Sequence, residues 1–64
     1  MRETPIVVTQ RYVQGIGWPV SRDELLRALE RNGAPDDVLQ ALRTVPKERF
    51  TGPSEVTSAL WAVV

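Results

Sequence analysis

Ser21-Arg22-Asp23-Glu24-Leu25-Leu26-Arg27-Ala28-Leu29-Glu30-Arg31-Asn32-Gly33 is a helix with both of its ends written into it. Ser21 with Glu24 three residues on is a capping box, in which each side chain serves the other residue's backbone amide. Val20 and Leu25 stand at the two positions of a hydrophobic staple across that start. Asp23 and Glu24 in the first turn suit the positive end of the helix dipole. Leu25, Leu26, Ala28 and Leu29 recur at helical spacing and form the buried stripe. Asp23 and Arg27 are spaced for an i,i+4 ion pair on the solvent face. Asn32-Gly33 stops the helix, because glycine takes the left-handed conformation at no steric cost.

A second helix follows at once. Pro35 suits a first helical position, Asp36 and Asp37 fill its first turn, and Val38, Leu39, Leu42 and Val45 share its apolar face. Arg43 lies near its carboxyl end and Pro46 closes it. Lys47 to Gly52 reads as a loop, with Phe50 turned inward as an anchor. Pro53 starts a last helix with Glu55 near its amino end; Val56, Leu60 and Val63 share one face, with Ala59 beside it. Thr57, Trp61 and Val64 form a neighbouring stripe about 100° round that helix.

Towards the amino terminus, Thr4-Pro5 reads as an N-cap and first-turn proline. Val8, Tyr12 and Ile16 recur every four residues, which predicts a helix. The β-branched run Ile6-Val7-Val8-Thr9 pulls towards an extended strand. Gly15 and Gly17 end the element, and Trp18, which precedes Pro19, is expected to be extended. The expected fold is all-α: one domain over residues 1–64, a bundle of three to four short helices. The fourth depends on whether the N-terminal segment is helical or extended. The expected core is Val8, Tyr12, Ile16, Leu25, Leu29, Val38, Leu39, Leu42, Phe50, Val56 and Leu60.

Composition narrows the function. Cysteine and histidine are absent. That removes disulfides, thiolate metal sites, cysteine nucleophiles and the usual neutral-pH base. Ser21, Ser54 and Ser58 lack a histidine, and the single lysine, Lys47, lies in a charged loop that gives its pKa no reason to fall. The adjacent carboxylates Asp23-Glu24 and Asp36-Asp37 are explained by helix starts. No loop alternates ligands and glycine as a calcium site does. The expectation is therefore a non-enzyme with no catalytic, cofactor-binding or metal-binding residues and no small-molecule substrate. With 42% hydrophobic residues the chain has enough apolar content to fold. No apolar run approaches the ~20 residues of a membrane span, and the start Met1-Arg2-Glu3-Thr4-Pro5 does not read as a secretory signal. A cytoplasmic location follows as the expectation.

At this point the sequence resembles a family. Tyr12-Val13-Gln14-Gly15-Ile16-Gly17-Trp18-Pro19 is similar to the aromatic-x-x-Gly-aliphatic-x-aromatic-Pro opening of the bacterial domain of unknown function 2795. The likeness continues through Leu25 and Ala28, Asn32-Gly33-Ala34, Val38-Leu39, Leu42, Val45-Pro46, Arg49-Phe50 and Pro53 with Glu55-Val56. It spans Tyr12 to Leu60. The resemblance implies a small helical bacterial protein or module and no particular activity. The ending Leu60-Trp61-Ala62-Val63-Val64 is more apolar than the family leads one to expect.

Two binding readings follow. In the first, Trp61, Val64 and Thr57 face a protein partner or a second copy of the chain, making it an interaction or regulatory module. Tryptophan is a favoured contact residue, and an exposed apolar patch marks an interface. In the second, Arg27, Arg31, Arg43, Lys47 and Arg49 grip the phosphates of a nucleic acid. The formal net charge of zero argues against general nucleic-acid coating. Helix-turn-helix reading of DNA is opposed by Asp36 and Asp37 at the end that would enter the groove. The plainer reading of the basic residues is a solvated rim with local ion pairs to Glu30 and Glu48. For Trp18 it is a lid on the core where the first helix turns back, rather than a ligand-stacking ring.

Overall fold

A computed structural model of the chain describes residues 1–63. The capping box forms: Ser21 Oγ accepts from the Glu24 amide at 3.1 Å and Glu24 Oε1 accepts from the Ser21 amide at 2.9 Å. It opens a helix over Arg22–Arg31. That helix closes as the sequence predicts. Gly33 has φ +85°, the Gly33 amide donates to Glu30 O and the Ala34 amide to Leu29 O. The pair of bonds is a Schellman cap, which satisfies carbonyls the helix end would otherwise leave bare.

The elements in chain order are α1 (Pro5–Tyr12), β1 (Val20–Ser21), α2 (Arg22–Arg31), α3 (Asp36–Arg43), β2 (Arg49–Phe50) and α4 (Pro53–Val63). The N-terminal segment is helical. Thr4 caps it by accepting from the Val7 amide, and Pro5 opens it. Its β-branched residues are tolerated because Val8 is wholly buried against the rest of the core and α1 lies along α4. Pro35 stands one place earlier than predicted, as the N-cap of α3 rather than its first residue. α3 stops at Arg43, and Val45 is buried from beyond the helix end.

The all-α expectation needs correcting. Residues 47–52 are not all loop: Arg49–Phe50 pairs antiparallel with Val20–Ser21, in the register Val20↔Phe50 and Ser21↔Arg49. The fold is thus mostly helical with a small two-stranded sheet. Such short strands carry no alternating pattern long enough to read. What holds them is burial of Val20 and Phe50 on the inner face and the cap of α2, which fixes Ser21 in an extended conformation. The Trp18–Pro19 peptide ahead of β1 is cis.

Eight expected core residues, Val8, Leu25, Leu29, Val38, Leu42, Phe50, Val56 and Leu60, are fully buried, and Leu39 nearly so. Tyr12 and Ile16 are corrections, being only partly buried against the core. α1 ends at Tyr12, so Ile16 never reaches the Val8 face. The amide group of Asn32 takes the carbonyls of Tyr12 (2.7 Å) and Gln14 (3.0 Å), and Gly15 turns the chain with φ +66°. The Tyr12 hydroxyl instead donates to Glu3 at 2.9 Å. Val20, Ala28, Val45 and Ala59 complete the core. No helix among the described residues is long and apolar enough to cross a membrane.

Candidate interaction surfaces

α4 carries one charged residue, Glu55, and the sequence from Val56 onward carries none. Its inner face, Val56, Ala59 and Leu60, is buried. The turn-to-turn repeat Ser54, Ser58, Ala62 runs along its outer side, exposed to solvent. Opposite lies the segment Thr44–Lys47, and between the two is an open cleft of about 590 Å³. Val45, Pro46 and Lys47 wall it on one side, Ser54, Ser58 and Ala62 on the other, with Val63 at its end. Trp61, three residues from Ser58 and so on a neighbouring face, is 51% exposed, and Val63 is 40% exposed.

The Thr44–Lys47 wall is held from two directions. The Arg22 guanidinium donates to Val45 O, and the Arg22 amide donates to Glu48 O at 2.8 Å. From the other side Lys47 Nζ lies 3.4 Å from Glu55 Oε1 and 5.9 Å from the centre of the Phe50 ring. Glu55 also accepts from the Thr51 amide at 2.9 Å and from the Thr51 hydroxyl. The Thr51 bonds, with Lys47 beside them, hold the Glu55 carboxyl below its ordinary pKa. Among the described residues, the charged groups lining this cleft are Lys47 and Glu55, which pair with each other.

The three residues expected at a protein interface separate. Trp61 is exposed as that reading requires. Thr57 is half-buried and turned towards α1, where its Oγ1 lies 2.6 Å from Thr9 Oγ1. Val64 lies outside the described residues. Sequence reading missed Ser58, Ala62 and the Val45–Pro46 wall; the small residues at i, i+4 and i+8 from Ser54 were the available signal.

The five basic residues also divide. Lys47 is committed to Glu55, and Arg43 stands exposed at the carboxyl end of α3. Arg27 and Arg31 lie together on α2, beside the Gly15–Val20 loop. Arg49, across from Ser21 in the sheet, is near enough for its charge to lower the Glu24 pKa along with Arg27; the larger cause there is the Ser21 backbone bond. The expected Asp23–Arg27 pair does not form within 4 Å. The ion pairs among the described residues are Arg11–Glu3 and Lys47–Glu55, and none involves Glu30 or Glu48. Exposed pairs of this kind gain too little to hold two long side chains together. Trp18 is half-buried against the core, as its plainer reading had it.

A family model described as "Protein of unknown function (DUF2795)" matches residues 5–57. The chain belongs to this family. No curated protein and no solved structure matches it.

Proposed function

We propose that the chain is a non-enzymatic interaction module that associates with a second copy of itself through the outer side of α4, with Trp61 as the anchor. The observation that carries this is Trp61, half exposed, beside an apolar cleft whose charges are already paired. With Lys47 and Glu55 paired, the charges lining the cleft offset each other and set little repulsion against a second copy, and the whole chain has no net charge. Ser54, Ser58 and Ala62 are small enough to let a second helix approach closely. A two-fold contact uses the same patch on both copies, so a patch that holds both an anchor and a receiving groove is self-complementary. The lack of histidine and cysteine supports the non-enzymatic part.

The association is weak on this reading. Burying the exposed half of a tryptophan removes about 120 Å² from water, worth about 3 kcal/mol and about 6 kcal/mol for the two copies. That only just exceeds the lower end of the cost of association, so the dissociation constant is millimolar or weaker. Sedimentation velocity into the millimolar range is the test. A rise in mass with concentration is expected, abolished by Trp61→Ala and by Ser58→Arg, which blocks the groove without touching the core. A monomer at every concentration, or a dimer indifferent to both substitutions, overturns it.

A further inference from the structure

Away from α4, the outer face of α2 meets the Gly15–Val20 loop in a cleft of about 330 Å³. Ala28 and Val20 contribute apolar surface, while Arg27 and Arg31 line it one helical turn apart. The same two side chains line an adjoining hollow with Glu30. Neither guanidinium has a carboxylate within 4 Å, and neither donates a hydrogen bond within the chain among the described residues. The amides of Gly15, Ile16 and Gly17 likewise donate to no protein acceptor there. One carboxylate borders the cleft, Glu24, and it is occupied by the Ser21 amide at 2.9 Å. Arg49 adds a further positive charge close to Glu24.

We propose that this cleft is a phosphate-binding site, with Arg27 and Arg31 as its cationic ligands and the Gly15–Gly17 amides as neutral donors. Two forked guanidiniums one turn apart offer more directed N–H groups than a carboxylate's two oxygens can use. A phosphate group presents three or more acceptor oxygens and matches arginine geometry. Open space lies beside the loop at both glycines, since a Cβ built at Gly15 or Gly17 meets nothing within 4 Å. The phosphate can belong to a small molecule such as a nucleotide or to the backbone of a nucleic acid.

Amide and arginine Nε resonances followed by ¹H–¹⁵N NMR test the site. The probes are inorganic phosphate, ATP and a single-stranded oligodeoxynucleotide, against sodium chloride at matched ionic strength. Saturable shifts at Gly15, Ile16, Gly17 and the Nε groups of Arg27 and Arg31 are expected. In R27Q/R31Q, whose exposed positions keep the change in melting temperature to a few degrees, the affinity falls about tenfold or more with the loss of two charge-assisted contacts. R27K/R31K retains part of it. If all three probes saturate, the phosphate group itself is the ligand. If only the oligonucleotide does, the source is a phosphodiester backbone, and the substitution lowers the salt slope of single-strand binding by about 1.4. Shifts reproduced by sodium chloride, shifts that persist in R27Q/R31Q, or no saturation by any probe overturn the proposal. None of these outcomes bears on association through α4.

Discussion

Replacing Ser21 by alanine isolates the local device on which the fold most depends. Ser21 is the N-cap of α2 and also a member of β1, so its position is fixed twice. The substitution removes the Oγ that accepts from the Glu24 amide and leaves the backbone pairing with Arg49 intact. Loss of such a cap costs about 1 kcal/mol. An unfolding entropy of about 2.1 cal/mol/K per residue over 64 residues gives about 0.13 kcal/mol/K, so the melting temperature falls by about 7 °C. Thermal unfolding followed by circular dichroism reads this directly. Asp at the same position supplies an equivalent acceptor and recovers most of the loss. A fall below about 2 °C, or an S21D protein as unstable as S21A, refutes the view that this hydrogen bond holds the start of α2.

Thr57→Ala distinguishes the observed placement of Thr57 from an interface role. It removes the contact with Thr9 Oγ1, and Thr9 keeps its own bond to Pro5 O. The cost is about 1 kcal/mol, visible as a lower melting temperature, with sedimentation unchanged relative to wild type at equal folded fraction. Acid weakens the fold in a defined direction. Glu24, Asp37 and Glu55 all have lowered pKa values, caused first by the backbone amide of Ser21, the backbone amide of Arg2 and the Thr51 hydroxyl respectively. Their contribution is present above the ordinary carboxylate range and is lost as pH falls through it, from about pH 5 downward. Denaturant midpoints measured from neutral to acid pH should fall in that window, and less so in E24Q/E55Q. A midpoint that stays flat would contradict these bonds.

The parts of the fold legible in the sequence are those fixed by contacts three to five residues apart. The Ser21–Glu24 box, the Asn32-Gly33 stop and the 3.6-residue stripe of α2 are all of this kind. What was not legible depends on partners distant in the chain. Asn32 also ties off the end of α1 from 20 residues away, and this is why the Val8-Tyr12-Ile16 series ends one member early. The pairing of Arg49–Phe50 with Val20–Ser21 has no local signature, since a two-residue strand has no period. Among the candidate sites, exposure of Trp61 was undecidable from a helical wheel alone. The burial of Val56, Ala59 and Leu60 uses up the inner face of α4 and leaves Trp61 outside. The basic residues looked like one group because three of them, Arg43, Lys47 and Arg49, are close in sequence. Folding instead gives Lys47 to Glu55 and leaves Arg27 and Arg31 to a separate cleft.

The small sheet joins the start of α2 to the segment just ahead of α4. Its first strand ends at the cap of α2, and Arg22, the first residue of that helix, holds the Val45 and Glu48 carbonyls. Val45 lies in, and Glu48 directly follows, the Thr44–Lys47 wall that faces Ser54, Ser58 and Ala62 across the α4 cleft. The width of that cleft is therefore set by the start of α2 together with the Lys47–Glu55 pair, not by α4 alone. Arg22 is in this sense a positioning residue for the groove, although it does not line it. A contact formed at α4 would press on the same wall, and the bonds of Arg22 are what would resist it. The cleft proposed for phosphate lies on α2 as well, but it is lined by Arg27 and Arg31 from the second half of that helix and by the Gly15–Gly17 loop, which precedes the helix in the chain. Leu25, Leu29, Leu42 and Phe50 are fully buried in the core cluster of the fold. The surface proposed to meet a second copy, whose lining charges Lys47 and Glu55 pair with each other, is thus separate from the one proposed to take an oxyanion, lined by Arg27 and Arg31. Each can be altered by substitution at exposed residues without disturbing the core they share.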